Sequence, residues 1–489
     1  MKAEPRGQPG VAGAHSVGIR AASGRLMYRS ARNVLLAAGD AAMISLSTAI
    51  AYVAWAAPVQ QQPAEMYLEL SPLIALFIAG YARAGLYPSL GLGPVQTLRR
   101  LSYVTTFGFL ALAAFSFALK LPHLYSRVTF LLAFVLSLAL VPLGRFAVFS
   151  LARNRDWWTE AVVVIGTGRR AARAIRGIKR AGHLGYRAVA VLTSDAQADA
   201  AGEFEEVPIM GGLEQVHALS ASGIRIAFLE VERLQPQLVI DQLQQTFQHV
   251  VLLHELDDLP MEGLQVRTLG DLVGIEYRNN LLRPEKQLTK RVLDLALGSA
   301  AFVLAMPVIL IAGLLVRLVD GGPSCFHQDR RGRGGRPIKV RKIRTMCRGA
   351  DSRLEEYLAA DPARRDEWEV SHKLRDDPRL IPVIGPLFRR FSIDELPQLW
   401  AVIAGDMSLV GPRPFPDYHL QTFTPAFLEL RQRVRPGITG LWQVTSRSNG
   451  GAAEQEAFDS YYIRNWSVWF DLYILGRTII AIVTGRGAY

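Results

Sequence analysis

Residues 295–316 read LALGSAAFVLAMPVILIAGLLV, 22 consecutive positions without a charge and with Pro307 in the middle. At about 1.5 Å per residue, such a run is long enough to cross a hydrocarbon layer of about 30 Å. Its flanks argue against a simple crossing. Lys286, Lys290 and Arg291 precede it, and Arg317, Arg330, Arg331, Arg333 and Arg336 follow it. Basic flanks are retained on the cytoplasmic side, so a crossing would place one cluster on the disfavoured face. Pro307 lacks the N–H that would bond to the carbonyl of Val303, and its ring crowds that turn, so the helix is expected to break there. A re-entrant membrane helix over residues 286–320, entering and leaving through one leaflet, satisfies both facts. A fifth full span is the alternative.

Upstream, four more apolar stretches lie at roughly residues 34–57, 67–83, 101–119 and 128–151, each about long enough to span and poor in charge. They predict a four-helix transmembrane domain over residues 31–155. Arg20, Arg25, Arg29 and Arg32 precede the first stretch, Arg83, Arg99 and Arg100 flank the second loop, and Arg153 and Arg155 follow the fourth. Both ends of the bundle are therefore expected in the cytoplasm, with Lys120 and Arg127 as weak dissent. Residues 1–30 lack an apolar core and read as a flexible basic arm, not a signal peptide.

Whole-chain composition agrees: 50% of the 489 residues are apolar and the mean hydropathy is +0.17. The net charge of +12 suits anionic lipid, nucleotide phosphates and nucleic acid about equally. Cys325 and Cys347 are the two cysteines and have neither metal-ligand nor redox spacing, and the nine histidines show no zinc pattern.

Residues 156–280 change character. Short β-rich runs, AVVVIG (161–166), YRAVAVL (186–192) and IRIAFLEV (224–231), alternate with helical stretches and predict a Rossmann-like α/β domain. The first run enters Gly166-Thr167-Gly168-Arg169-Arg170-Ala171, a GxGxxA turn whose backbone N–H groups could hold a nucleotide phosphate, with Asp195 placed for a ribose hydroxyl. A scaffolding or regulatory fold explains the same residues.

The run DRRGRGGRPIKVRKIR (329–344) carries eight Lys or Arg against one Asp. It serves as a lipid-facing basic patch or, through Lys342 and Arg344, as a phosphate site. No groove-reading motif accompanies it, so nucleic acid is not an expected partner. In FSIDELPQLWAVIAGDMSLVGPRP (391–414), Ser392 and Glu395 have capping-box spacing, but Pro397 disfavours that register. A helix starting near Asp394 sets Asp394 and Glu395 together in its first turn. Both can then reach one phosphate and one metal ion, a arrangement suited to phosphoryl chemistry.

The stretches SIDELPQLW (392–400), GDMSLVGPRP (405–414), RPGITGLWQV (435–444) and YYIRNWSVWFDL (461–472), with GLYPSLGLGPVQTLRRL at 85–101, resemble the bacterial polyprenyl-phosphate sugar-phosphate transferases, the monotopic phosphoglycosyl transferases, in their large form. The resemblance covers nearly the whole chain and is strongest over 286–489. It implies a mainly α-helical catalytic domain at 321–489 beside the re-entrant helix. It also implies transfer of a hexose 1-phosphate, galactose before glucose, from a UDP-sugar to undecaprenyl phosphate with release of UMP. Asp394 falls on the nucleophile that forms a phosphosugar-aspartyl intermediate, and Glu395 on the carboxylate that supports Mg2+, with both as metal ligands. Lys342, Arg344 and Arg413 fall on the basic and Pro-Arg-Pro elements; Arg435 and Asp459 are weaker site candidates. Ala401 replaces a usual Asn and Met306 a usual Ser. Trp442, Trp466 and Trp469 read as core or interfacial anchors, and residues 472–484 as a helix lying on the membrane.

The implied setting is the bacterial inner membrane, multi-pass, with the catalytic domain on the cytoplasmic face. Membrane lipid and a homodimer are among the expected partners. Two rivals fit parts of the chain. A nucleotide-sugar dehydratase or epimerase would need a Tyr-x-x-x-Lys pair, and no Tyr here has Lys four residues later. A non-catalytic assembly or regulatory protein would not need the intact Asp-Glu pair.

Overall fold

The computed structural model describes residues 11–118, 126–152, 155–180, 184–193, 202–230, 243–253, 265–269, 272–276, 281, 283–361, 364–365, 374, 377–445 and 451–484. Asp195 lies outside them. The chain divides into two compact units, Met1–Asp257 and Asp258–Tyr489.

In the first unit the helical segments Ala31–Gln60, Ala64–Arg83, Pro94–Ala118 and Arg127–Ala152 are long and apolar enough to cross a membrane, matching the four predicted stretches. We label α1 (Val11–Ala51), α2 (Ile74–Arg83), α3 (Pro94–Ala118) and α4 (Arg127–Ala152). Tyr81, Phe77, Phe109 and Val141 fill the space between them. Buried among these helices, Arg145 of α4 donates to both carboxylate oxygens of Asp40 on α1 and to Ser89 Oγ, while Tyr87 Oη donates to Asp40. Each charge is thus paired and hydrogen-bonded, the condition for burying an ion pair away from water. The pair also fastens the 85–93 loop to the bundle.

The same unit carries a four-stranded parallel sheet from β1 (Glu160–Ile165), β2 (Tyr186–Leu192), β3 (Ile226–Glu230) and β4 (His249–Leu253), ordered β2-β1-β3-β4. Alternate residues of β1 serve opposite faces. Val163 and Ile165 join Val216 and Leu219 of α6 (Val216–Ala221), whereas Val162 and Val164 join Ala171, Ile175 and Ile178 of α5 (Arg169–Arg180). Cover on both faces explains the unbroken apolar run of β1. Strand order reverses between β1 and β3, the place where doubly wound sheets open a crevice.

The second unit begins with a β5 (Gln265–Leu269) and β6 (Leu272–Glu276) hairpin, then α7 (Pro284–Asp320). Here the expected break fails: α7 is helical throughout its 37 residues, Pro307 included. Proline removes one hydrogen bond and crowds one carbonyl, which a long helix with continuing bonds on either side can absorb. The basic run after α7 forms an antiparallel hairpin, β7 (Cys325–Arg331) and β8 (Pro337–Ile343), closed over Gly334 and Gly335 at positive φ. Strand alternation therefore splits its charges between two faces. Arg330 pairs with Ile338, Gln328 with Val340 and Phe326 with Lys342, so Arg330 and Lys342 share one face.

Candidate active site

Ile393–Gln398 form a 3-10 helix that runs into Leu399–Ala404. Ser392 precedes it in the left-handed region (φ 52°) and its side chain makes no capping bond, so the capping box is absent. Asp394 and Glu395 occupy the first turn, as the position of Pro397 predicts. Their side chains are 14% and 20% exposed. Lys342 Nζ donates to Glu395 Oε1 at 2.7 Å and lies 4.0 Å from Asp394 Oδ2. Arg413 Nη2 donates to the same Glu395 oxygen at 3.2 Å.

The Pro-Arg-Pro element is set by a two-strand parallel pair, Ser408–Val410 with Gly437–Thr439, which joins GPRP to RPGITG. Gly411 N–H donates to Thr439 O and Gly437 N–H to Pro412 O. A Cβ on Gly437 would stand 2.1 Å from Gly411 N, so only glycine permits this approach and the placement of Arg413 that follows from it.

These surroundings drive the two carboxyls apart. Burial and the adjacent Glu395 charge push Asp394 up to about 6, against the pull of Lys342 and Arg389. Burial alone would also raise Glu395, but Arg413 and Lys342 overcome it and hold that carboxyl at about 2. Glu395 is thus an ionised anchor for two cations, while Asp394 has no cation closer than Lys342. Two further cations act on the pair that sequence reading missed: Arg389 on Asp394 and Arg330 on Glu395. Arg389 Nε also donates to Thr345 Oγ1 at 3.2 Å. The turn-like RGRGG within a basic run was the available signal for Arg330, since a hairpin there sets it beside Lys342.

The remaining candidates lie elsewhere. Arg344 pairs with Asp320 at 2.8 Å, at the end of α7, and does not touch the carboxylates. Arg435 Nε donates to Gly405 O and lines a separate small pocket of about 30 Å3 with Lys290, Asp294 and Arg333. Asp459 is buried in the helix Ala452–Arg464, where burial raises its carboxyl to about 7 against the pull of Arg431 and Gln455. It reaches the site only at a distance: Arg431, held over the rings of Phe415, Phe423 and Phe427, donates to the backbone carbonyl of Arg413. Trp466 is core, its indole N–H donating to Asp471. Gly166 and Gly168 belong to the first unit, where Gly168 and Arg170 N–H donate to Glu230 and not to an open turn.

Among the described residues no three His, Cys, Asp or Glu side chains converge on a metal position. Asp394 and Glu395 alone nevertheless fit magnesium, which commonly takes one or two carboxylates and completes its shell with water and substrate phosphates.

Residues 285–485 match the bacterial sugar transferase family, and residues 83–223 match a CoA-binding domain. A UDP-galactose-lipid carrier transferase of Erwinia amylovora is 33% identical over 74% of this chain and 76% of its own length. An undecaprenyl-phosphate galactose phosphotransferase of Salmonella typhimurium is 30% identical over 75% of this chain and 77% of its own. The exopolysaccharide production protein ExoY of Rhizobium meliloti is 40% identical over 44% of this chain and 94% of its own. The half-buried carboxylate pair and its cations lie wholly inside the matched 285–485 segment, and the chain belongs to the bacterial sugar transferases.

Proposed function

We propose that this transferase moves a hexose 1-phosphate from a UDP-sugar to undecaprenyl phosphate at the cytoplasmic face of the bacterial inner membrane, as the first membrane step of polysaccharide synthesis. The unequal surroundings of the two carboxyls carry this reading. Glu395 accepts hydrogen bonds from Lys342 and Arg413, whereas Asp394 Oδ2 has Lys342 at 4.0 Å and no cation at hydrogen-bond distance among the described residues. Asp394 is therefore the nucleophile: its carboxylate oxygen bonds to the β-phosphorus, the P–O bond to the uridylate breaks and UMP leaves. An oxygen of the lipid phosphate then attacks the same phosphorus, the aspartyl bond breaks, and Asp394 regains its carboxylate. Arg413, 36% exposed and forked, is placed to receive nucleotide phosphates, and Lys342 keeps Glu395 ionised. Magnesium, held by Asp394, Glu395 and the diphosphate, would neutralise charge on the phosphate oxygens.

With α7 helical through Pro307, re-entry rests not on a break but on the packing of the two ends of α7. Lys290 pairs with Asp471 and Gly298 packs on Val402 near the start, while Ala312 and Val316 pack on Ile343, Cys347 and Phe388 near the end. Between them Val303, Leu304, Leu310 and Ile311 are exposed. Two ends tied to one compact unit suit a helix that dips into a leaflet better than one that crosses about 30 Å of hydrocarbon. Exposed Ile479, Ile480 and Val483 on the helix Val468–Thr484 suit a neighbouring interfacial position.

UMP release from a panel of UDP-sugars with undecaprenyl phosphate tests the reading. UDP-galactose is expected to give the fastest release and UDP-glucose the next. Absence of lipid-dependent UMP release from every donor would refute it.

A further inference from the structure

The glycine-rich turn after β1 has the form of a phosphate cradle, and the segment containing it matches a CoA-binding domain. In such turns the backbone N–H groups at a helix N-terminus hold a pyrophosphate, and the glycines let it approach the backbone. Here the donors are already engaged by the chain itself. Glu230, the last residue of β3, accepts from Gly168 N–H through Oε2 at 2.7 Å and from Arg170 N–H through Oε1 at 2.9 Å. The contact spans both oxygens of one carboxylate, as a phosphate would use two of its own. It sits between β1 and β3, where the strand order reverses and a ligand would enter.

The glycines fit this occupant closely. A Cβ at Gly166 would lie 2.7 Å from Glu230 Cβ, and one at Gly168 would lie 2.5 Å from Glu230 Oε1. Gly166 also has φ +119°, which other residues rarely adopt. The need for glycine at both positions is therefore met by the protein's own carboxylate, without a nucleotide. Glu230 is buried, so the carboxylate is set in the crevice and not swinging in solvent.

We infer that Glu230 is the resident anion of this turn, and that it excludes CoA and other nucleotide diphosphates from the cradle of the α/β domain. A diphosphate arriving there meets a negative charge at contact distance and finds both amide donors taken. The domain then serves through its packing: Glu230 ties the end of β3 to the first turn of α5.

The test uses full-length protein in detergent and equilibrium dialysis with CoA, ADP and inorganic pyrophosphate. Glu230→Ala removes the carboxylate and opens both amides. It is expected to bind at least one of these probes about 10-fold or more tightly than wild type, the scale of a regained charge-assisted pair. Equal or weaker binding by the variant overturns the inference. A thermal-stability cycle reads the contact without relying on a ligand. Gly168→Ala should lower the melting temperature of wild type more than it lowers that of the Glu230→Ala protein, because the added methyl meets the carboxylate only in the former. Equal shifts in the two backgrounds overturn it as well.

Discussion

Asp394 and Glu395 are neighbours in sequence, yet Glu395 is hydrogen-bonded by two cations that outweigh its burial, while at Asp394 burial and the neighbouring charge outweigh the pull of Lys342 and Arg389. That difference sets a pH dependence whose sign can be worked out. A carboxyl raised to about 6 is protonated and non-nucleophilic below that pH, so kcat/KM should rise through pH 6 and level off above it. Glu395, at about 2, stays ionised over the whole range. Asp394→Asn should cost at least about 10^3-fold in turnover and abolish any covalent phosphosugar adduct, since an amide is a poor nucleophile. A trapped adduct on the Asn variant would show that another residue attacks. Glu395→Gln makes a sharper forecast. Removing its charge lets the Asp394 carboxyl titrate lower, so the acid limb should move to lower pH while the plateau falls about 10- to 100-fold through weaker metal support. A limb that stays in place would mean that Glu395 does not set the state of Asp394.

At the scale of elements, α7 explains both what could be read from the sequence and what could not. Its length and its apolar middle were legible, because hydrophobic runs are local. The pairing of Asp394 with Glu395 in one first turn and the charge of Lys342 were local features too, whereas Arg413 entered only through the resemblance, and the meeting of Lys342 and Arg413 at Glu395 has no local trace. In the sequence Lys290 and Arg291 are flanking charges that bear on topology; in the fold they also make buried and half-buried pairings. Lys290 is buried between Asp471 at 2.7 Å and Asp294 at 3.5 Å, and Arg291 donates to the carbonyls of Val402 and Ile403. A pairing across 181 residues leaves no local trace. Lys290→Met should therefore destabilise the protein by about 3 kcal/mol, because it leaves two buried carboxylates without their cation. Adding Asp471→Asn should recover part of that loss, and a denaturation series in detergent measures both. Topology is tested separately. With Cys325 and Cys347 replaced, single cysteines at positions 288 and 322 should both be shielded from an impermeant thiol reagent in intact spheroplasts and both react once the membrane is opened. Labelling of only position 322 from outside would establish a crossing.

For the molecule as a whole, the question is how much of the chain the chemistry needs. Asp394, Glu395, Lys342, Arg413, Arg330 and Arg389 all belong to the second compact unit, as do the core groups around Ala312 and Phe388 and around Phe415 and Phe427. The buried network of Lys290, Asp294, Asp471 and Tyr462 lies in that unit too, so α7, the Ser408–Val410 strand and the C-terminal helix are joined without help from the first unit. A relative that matches over 94% of its own length corresponds to only 44% of this chain, so the family includes proteins of about that extent. A chain from about residue 280 to the C-terminus should then keep UDP-sugar-dependent UMP release in the presence of undecaprenyl phosphate. Its kcat is expected within about 10-fold of full length, a change of no more than about 1.4 kcal/mol in the barrier. Loss of the first unit removes four apolar helices, so the comparison belongs in lipid nanodiscs, where α7 retains a bilayer on both preparations. A truncated protein that shows full-length thermal stability for this unit and binds UDP-sugar, yet gives no turnover, would mean that residues before 280 complete the active site.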